Sequence, residues 1–315
     1  MSLHRVVAFV HPPQAVFELA SAAEVFGLSR PGLPARYEFR VCSLTAGPIR
    51  TLDGYDILVT DGIAALERAE TIVLPGWQAG AVPAALSAAL LAAHSRGVRV
   101  IAICAGAFVL AELGLLAGRA ATTHWRLADE FRRRFPDVRF EPNVLYVDHG
   151  DVATSAGTAA GIDLCLQVVR RDHGAAYAAK IARQMVMPPR REGGQAQYQA
   201  SDRTRVEGRL APVLDWAVRH LDRRLTVDDL ACRAHLSQRT FVRRFAAEVG
   251  VSPGQWLLTQ RFDAARQLLE ESDLTVDAVA VRVGLSSAFN LRRHFLARLG
   301  TTPAAYRRTF GRSGQ

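Results

Sequence analysis

The sequence predicts an α/β sandwich on a parallel sheet, followed by an all-α domain that carries two helix-turn-helix units. Three observations lead there. Residues 1–187 alternate short apolar runs with helix-periodic stretches. Residues 188–209 break that pattern with a polar, Pro-, Arg- and Gly-rich passage. Residues 210–315 read as wholly helical and contain an internal repeat. A length of 315 residues suits two domains.

The first domain can be justified element by element. Val6–Val10 is a short apolar run and Ala15–Phe26 is helix-periodic. Tyr37–Cys42 and Ile57–Thr60 read as strands. Thr71–Leu74 is another strand, closed by Pro75-Gly76, and a helix follows from Pro83 to Ser95. Val98–Cys104 is continuously apolar, as a strand buried on both faces must be. Val152–Ser155 and a helix from Ala160 to Arg171 complete the series. Strand–helix alternation of this kind builds a parallel sheet covered by helices. The passage 188–209 opens with Pro188-Pro189-Arg190-Arg191 and reads as a linker or an ordered surface crossing.

The last third is duplicated. Leu225-Thr226-Val227-Asp228 recurs as Leu274-Thr275-Val276-Asp277, and Ala231, Arg233, Leu236 and Ser237 recur as Ala280, Arg282, Leu285 and Ser286. Arg243, Phe245, Gly250, Pro253 and Trp256 then recur as Arg293, Phe295, Gly300, Pro303 and Tyr306. Each unit has a Thr cap, a short helix with early acids, a tight turn, and a second helix. The second helix of the first unit buries Phe241 and Phe245 and projects Arg239, Val242 and Arg243. In the second unit Leu291 and Phe295 are the buried pair, while Asn290 and Arg293 project. A major-groove reading helix needs such an apolar anchor and a polar side that reaches base edges. A long helix over Pro253–Glu271 joins the units and would hold two reading helices about one DNA turn, ~34 Å, apart. Arg244, Arg261, Arg307 and Arg308 are assigned to phosphates or the surface.

Charge agrees with that reading. The net charge is +9, but residues 1–200 carry only +2 of it and residues 201–315 carry +7. A basic C-terminal third suits a polyanionic partner. The four cysteines, Cys42, Cys104, Cys165 and Cys232, have no C-x-x-C spacing and sit in apolar contexts. They are expected to be reduced thiols of a cytoplasmic protein without a metal site. No stretch is long and apolar enough to span a membrane, and the start lacks the apolar core of a secretory signal.

Cys104 ends the buried strand and a helix begins at once, in Ala102-Ile103-Cys104-Ala105-Gly106-Ala107. A strand that turns sharply into a helix exposes its corner residue at a helix N-terminus, which favours a thiolate. A buried structural cysteine is the plain alternative.

Two resemblances sharpen these expectations. Leu236-Ser237-x-Arg239-Thr240-Phe241-x-Arg243-Arg244-Phe245, Gly250-Val251-Ser252-Pro253, Val283-Gly284-Leu285-Ser286-Ser287 and Gly300-Thr301-Thr302-Pro303-x-x-Tyr306-Arg307-Arg308 resemble the AraC/XylS family over about residues 210–310. The resemblance implies base contacts at Arg239, Val242, Arg243, Asn290 and Arg293. Phe289 stands where family members often carry a polar residue.

Residues 5–187 look like the ThiJ/PfpI superfamily, relatives of class I glutamine amidotransferases with a flavodoxin-like sandwich. The match rests on the Ile103-Cys104-Ala105-Gly106 elbow and on Thr122-Thr123-His124, with Glu18 and Pro75-Gly76. It implies that Cys104, Glu18, His124 and Gly76 line a ligand pocket or a vestigial active site. It also implies that Glu18 bonds the cysteine sulfur and that Gly76 supplies backbone N–H groups nearby. Ala105 replaces the histidine of peptidase-like members, and Asp172-His173 lacks the His-x-Glu pattern of a glutaminase.

Together with Arg190-x-x-Gly193-Gly194-Gln195-x-Gln197 at the junction, the two halves resemble GlxA-type regulators. The expectation is a non-enzymatic transcription regulator that binds promoter DNA and is controlled by a small effector sensed in the N-terminal domain. Its other partners are a second copy in a homodimer and RNA polymerase, with no cofactor and no membrane. The alternative keeps a Cys-dependent hydrolase, hydratase or glyoxalase-like activity in that domain.

Overall fold

The structure is a computed structural model that describes residues 3–78, 80–188, 191, 194–197, 210–223, 225–249 and 251–311. Most of the expected linker, with Arg190, Gly193 and Gly250, lies outside the described residues. The chain forms two compact units, Met1–Ala196 and Gln197–Gln315.

Ten strands are described in the first unit: β1 (His4–Phe9), β2 (Tyr37–Cys42), β3 (Gly47–Arg50), β4 (Asp56–Val59), β5 (Thr71–Pro75), β6 (Arg99–Ile103), β7 (Ala120–Ala121), β8 (Arg139–Phe140), β9 (Tyr146–Asp148) and β10 (Val152–Ser155). Six of them form one sheet in the order β2-β1-β5-β6-β10-β9. All pairings in that sheet are parallel except β9 with β10. The helices are α1 (Val16–Ala22), α2 (Ala84–Ser95), α3 (Gly106–Glu112), α4 (Ala128–Arg134), α5 (Ala159–His173) and α6 (Ala175–Gln184).

The continuous apolar runs follow from this arrangement. Ile101 and Ile103 of β6 join Val6 and Ala8 of β1 in a core with residues of α1, α5 and α6. Val100 and Ala102 turn to the other face and join Val7 and Phe9 in a core with α2 and α3. A strand that feeds two cores has no polar face to alternate. The sandwich is the flavodoxin-like α/β class that the sequence implies.

Two elements differ from expectation. The strand expected at Ile57–Thr60 belongs to a separate antiparallel ribbon, β3 with β4. Ile49 and Val59 of the ribbon are buried in the core, while Leu58 beside Val59 is 77% exposed. The helix expected through Phe26 ends at Ala22 and continues as a π-wound turn over Ala23–Gly27. That wider turn buries the adjacent Val25 and Phe26 together.

The second unit is helical. It contains α7 (Ala211–Arg219), α8 (Val227–Arg233), α9 (Gln238–Val249), α10 (Pro253–Glu271), α11 (Val276–Arg282), α12 (Ala288–Leu299) and α13 (Pro303–Phe310). The expected caps are present. Thr226 and Asp229 form a reciprocal capping box on α8. Thr275 accepts the Ala278 N–H at 3.1 Å. Ser287 accepts the Asn290 N–H at 3.3 Å, and Ser237 accepts that of Thr240 at 3.4 Å. Phe241, Phe245, Leu291 and Phe295 are fully buried, as the repeat requires. The tight turns share a left-handed residue: His235 at φ 53° and Gly284 at φ 69°. A Cβ on Gly284 would come within 2.2 Å of the Leu221 carbonyl oxygen, so only glycine fits the second turn.

Candidate functional site

The end of β6 is built around tight backbone approaches. Cys104 takes φ 57°, which strains any residue with a Cβ. Its N–H donates to the Ser155 carbonyl at 3.0 Å. Gly106 packs so closely that a Cβ would lie 2.5 Å from the Leu74 oxygen. A Cβ on Gly157 would meet the Cys104 Cβ at 2.3 Å. Gly157 and Thr158 (φ 46°) therefore form a second wall of the elbow that the sequence did not reveal.

Cys104, Glu18 and His124 share one cavity of about 450 Å³, with Trp77, Phe108 and Arg126 also in its wall. Glu18 is buried at 7% exposure and lines the same cavity as the Cys104 thiol. Burial first, and then the charge of Glu18, push the thiol up to about 12. The helix N-terminus was expected to favour a thiolate; burial beside a carboxylate wins instead. His124 Nδ1 accepts the Arg126 N–H at 3.3 Å and so caps the next turn. Burial and the nearby Arg126 charge lower the His124 pKa, which suits a neutral acceptor.

Gly76 is outside the lining. Its N–H donates to the Ile103 carbonyl at 3.0 Å, so this amide does not face a ligand as expected. Its left-handed φ of 82° turns the chain toward Trp77, whose ring lies 4.6 Å from that of His11. Arg134 of the cavity wall is paired with Glu112 and Glu130 at 3.4 Å each. Arg126 lies over the Trp125 ring at 5.1 Å, and no carboxylate among the described residues pairs with it.

The junction segment is tied to this elbow. Gln195, 3% exposed, brings its amide nitrogen 3.0 Å from both Thr122 Oγ1 and the Thr123 carbonyl, and 3.1 Å from the Val144 carbonyl. The Thr123 hydroxyl donates to the Cys104 carbonyl at 2.8 Å. A Cβ on Gly194 would strike the Asn143 carbonyl oxygen at 1.5 Å, and the Ala196 N–H donates to Asn143 Oδ1 at 2.8 Å. Arg191 donates through Nε to Asp163 at 2.9 Å.

In the second unit, Arg239, Val242 and Arg243 are exposed on α9, and Arg293 is exposed on α12. Asn290 is half-buried, and its amide donates to Ser286 Oγ at 2.6 Å. Arg244 and Arg308 are exposed. Arg261 and Arg307 are partly engaged within the fold. Arg261 donates to the Arg223 carbonyl at 2.9 Å, and Arg307 donates to those of Leu269 and Leu274.

The paired capped helices with exposed arginines define a helix-turn-helix DNA-binding protein joined to an α/β unit with a cysteine elbow. Residues 4–171 match the DJ-1/PfpI family and residues 230–309 match a helix-turn-helix domain family. The HTH-type transcriptional regulator CdhR of Pseudomonas aeruginosa is 31% identical over 299 residues, covering 93% of this chain and 88% of the relative. The HTH-type transcriptional regulator GlxA of Rhizobium meliloti is 28% identical over 68% of this chain and 67% of its own. Drosophila melanogaster DJ-1beta, at 19% identity, shares the fold with a TM-score of 0.52 over 59% of this chain and all of its own. The chain belongs to the DJ-1/PfpI family through its first unit and, with its AraC-type helix-turn-helix unit, is a transcriptional regulator homologous to GlxA and CdhR. Among the described residues no helix is long and apolar enough to cross a membrane.

Proposed function

We propose that the first unit senses a small metabolite in the cavity beside Cys104 and that its occupancy changes how the second unit engages promoter DNA. One observation carries this reading. The segment that leaves the first unit is held by Gln195 to Thr123, and Thr123 holds the Cys104 carbonyl. A ligand that shifts the elbow therefore acts on the chain that leads to the DNA reader. It can do so only through different affinity for two arrangements of that chain. The unpaired Arg126 guanidinium selects an anionic group on the ligand.

Catalysis is not part of this proposal. The thiol is held protonated, Ala105 offers no base, His124 Nδ1 is occupied, and the Gly76 N–H is bonded within the fold. In the reader, Arg239, Val242, Arg243, Asn290 and Arg293 are assigned to base edges, and Arg244 and Arg308 to phosphates. A homodimer with both readers on one operator, working with RNA polymerase, completes the proposal.

A thermal-shift screen of the full chain against a metabolite panel, with the ligand recovered and analysed, tests the sensor. A stabilising ligand recovered intact that also changes DNA affinity is the expected result. Recovery as a product, or a stabilising ligand without effect on DNA affinity, overturns it.

A further inference from the structure

The repeat places Phe289 at a position that composition alone would not give to DNA. With the offset of 50 that aligns Arg243 with Arg293 and Phe245 with Phe295, α9 and α12 align end to end. Phe289 then stands where Arg239 stands in the first unit, and Arg292 stands where Val242 stands. At 100° per residue, Phe289 lies between Arg292 and Arg293 on the helix face opposite buried Leu291 and Phe295. Its ring is 70% exposed. Ala288, the preceding residue, anchors the first turn in the core, and Asn290 is turned back on Ser286. The first turn of α12 therefore offers its ring, beside Asn290, to whatever the helix meets.

We infer that Phe289 reads the C5-methyl group of a thymine in the major groove. This rests on the assignment of α9 and α12 as the base-reading helices. The two arginines on the same face select a polyanion as the occupant, and within a DNA groove the apolar feature offered to a ring is the thymine methyl. The two units also present the same chemistry in permuted order. Arg239, Val242 and Arg243 face out of the first, and Phe289, Arg292 and Arg293 out of the second. The operator must then be asymmetric within one chain's footprint, with the Phe289 thymine near the position that Arg239 reads as a purine in the other half.

The test removes one methyl group at a time. The full chain selects its site from a random duplex library, and each thymine is then replaced by deoxyuridine. One replacement in the half-site of the second unit should weaken binding about fourfold, the worth of one buried methyl. The same replacement should have no effect on Phe289→Ala, and that variant should keep the unfolding temperature of the native chain. Arg243→Ala and Arg293→Ala are measured in parallel. If both arginine variants lose affinity but no deoxyuridine site depends on Phe289, the inference fails and the DNA-reading helices stand. If neither arginine variant loses affinity, the assignment of the helices fails with it. A change of oligomeric state in Phe289→Ala would give the ring to a protein contact and overturn the inference.

Discussion

The Gln195 amide donates to the Thr123 carbonyl at 3.0 Å, in a site where both side chains are buried. Thr123 in turn anchors the Cys104 carbonyl. One amide side chain from the junction thus holds the strand end that shapes the cavity. Gln195→Ala leaves the Thr123 and Val144 carbonyls without that donor, at a cost of about 1–3 kcal/mol. A lower unfolding temperature and faster amide exchange at Ala120–Thr123 are expected, with DNA affinity in the absence of ligand unchanged. An unaltered exchange pattern would show that the amide does not hold this strand.

The protonation of Cys104 makes a second expectation. A thiol pushed up to about 12 is almost wholly protonated at pH 7, and its alkylation climbs steadily with pH through pH 9. Glu18→Gln removes the neighbouring negative charge, lowers the thiol pKa and speeds alkylation at pH 8. Iodoacetamide labelling followed at the Cys104 peptide by mass spectrometry separates it from exposed Cys232. Rapid labelling of the native chain at pH 7 that Glu18→Gln slows would reverse the sign.

Base reading and phosphate contact are separable in the second unit. Arg243→Ala should cost about 1–3 kcal/mol on the preferred site and relax the choice of base at one position. Arg308→Ala should weaken all sequences alike and flatten the salt dependence by about one ion. Binding isotherms on specific and scrambled duplexes at several salt concentrations measure both. Identical behaviour of the two variants would remove the base-reading role from Arg243.

The turn between α8 and α9 stores strain that its counterpart avoids. His235 and Gly284 occupy the same turn of the repeat, both left-handed, but only Gly284 is free of the Cβ penalty. His235→Gly should stabilise the second unit by about 0.5–1 kcal/mol. Chemical denaturation of the full chain reads the shift. A loss of stability would mean that the exposed His235 side chain outweighs the backbone term.

What could be read ahead of the structure follows from how local each cause is. β1 and β6 were legible because burial on both faces writes an unbroken apolar run. The caps at Thr226 and Thr275 were legible because they act within one turn. The strand at β4 was legible too, but its antiparallel pairing with β3 in a separate ribbon was not, since apolar pattern does not name a partner strand. Nor could the fates of Arg261 and Arg307 be told from those of Arg244 and Arg308, because an arginine tied to a distant carbonyl has the same sequence as a free one. At the cavity, Cys104, Glu18 and His124 were found by motif. Gly157 and Arg191 act on residues far away in the chain, and no spacing announces them; the junction motif marked Gln195 but not its hold on Thr123.

The most direct test is selection of DNA sites by the full chain from a random duplex library, followed by affinity measurement on the winning site. The account predicts an enriched sequence with two dissimilar half-sites about 10 base pairs apart within each chain's footprint, and loss of that preference when Arg243 and Arg293 are both replaced by alanine. Enrichment of no sequence, or a preference that survives the double replacement, would contradict it.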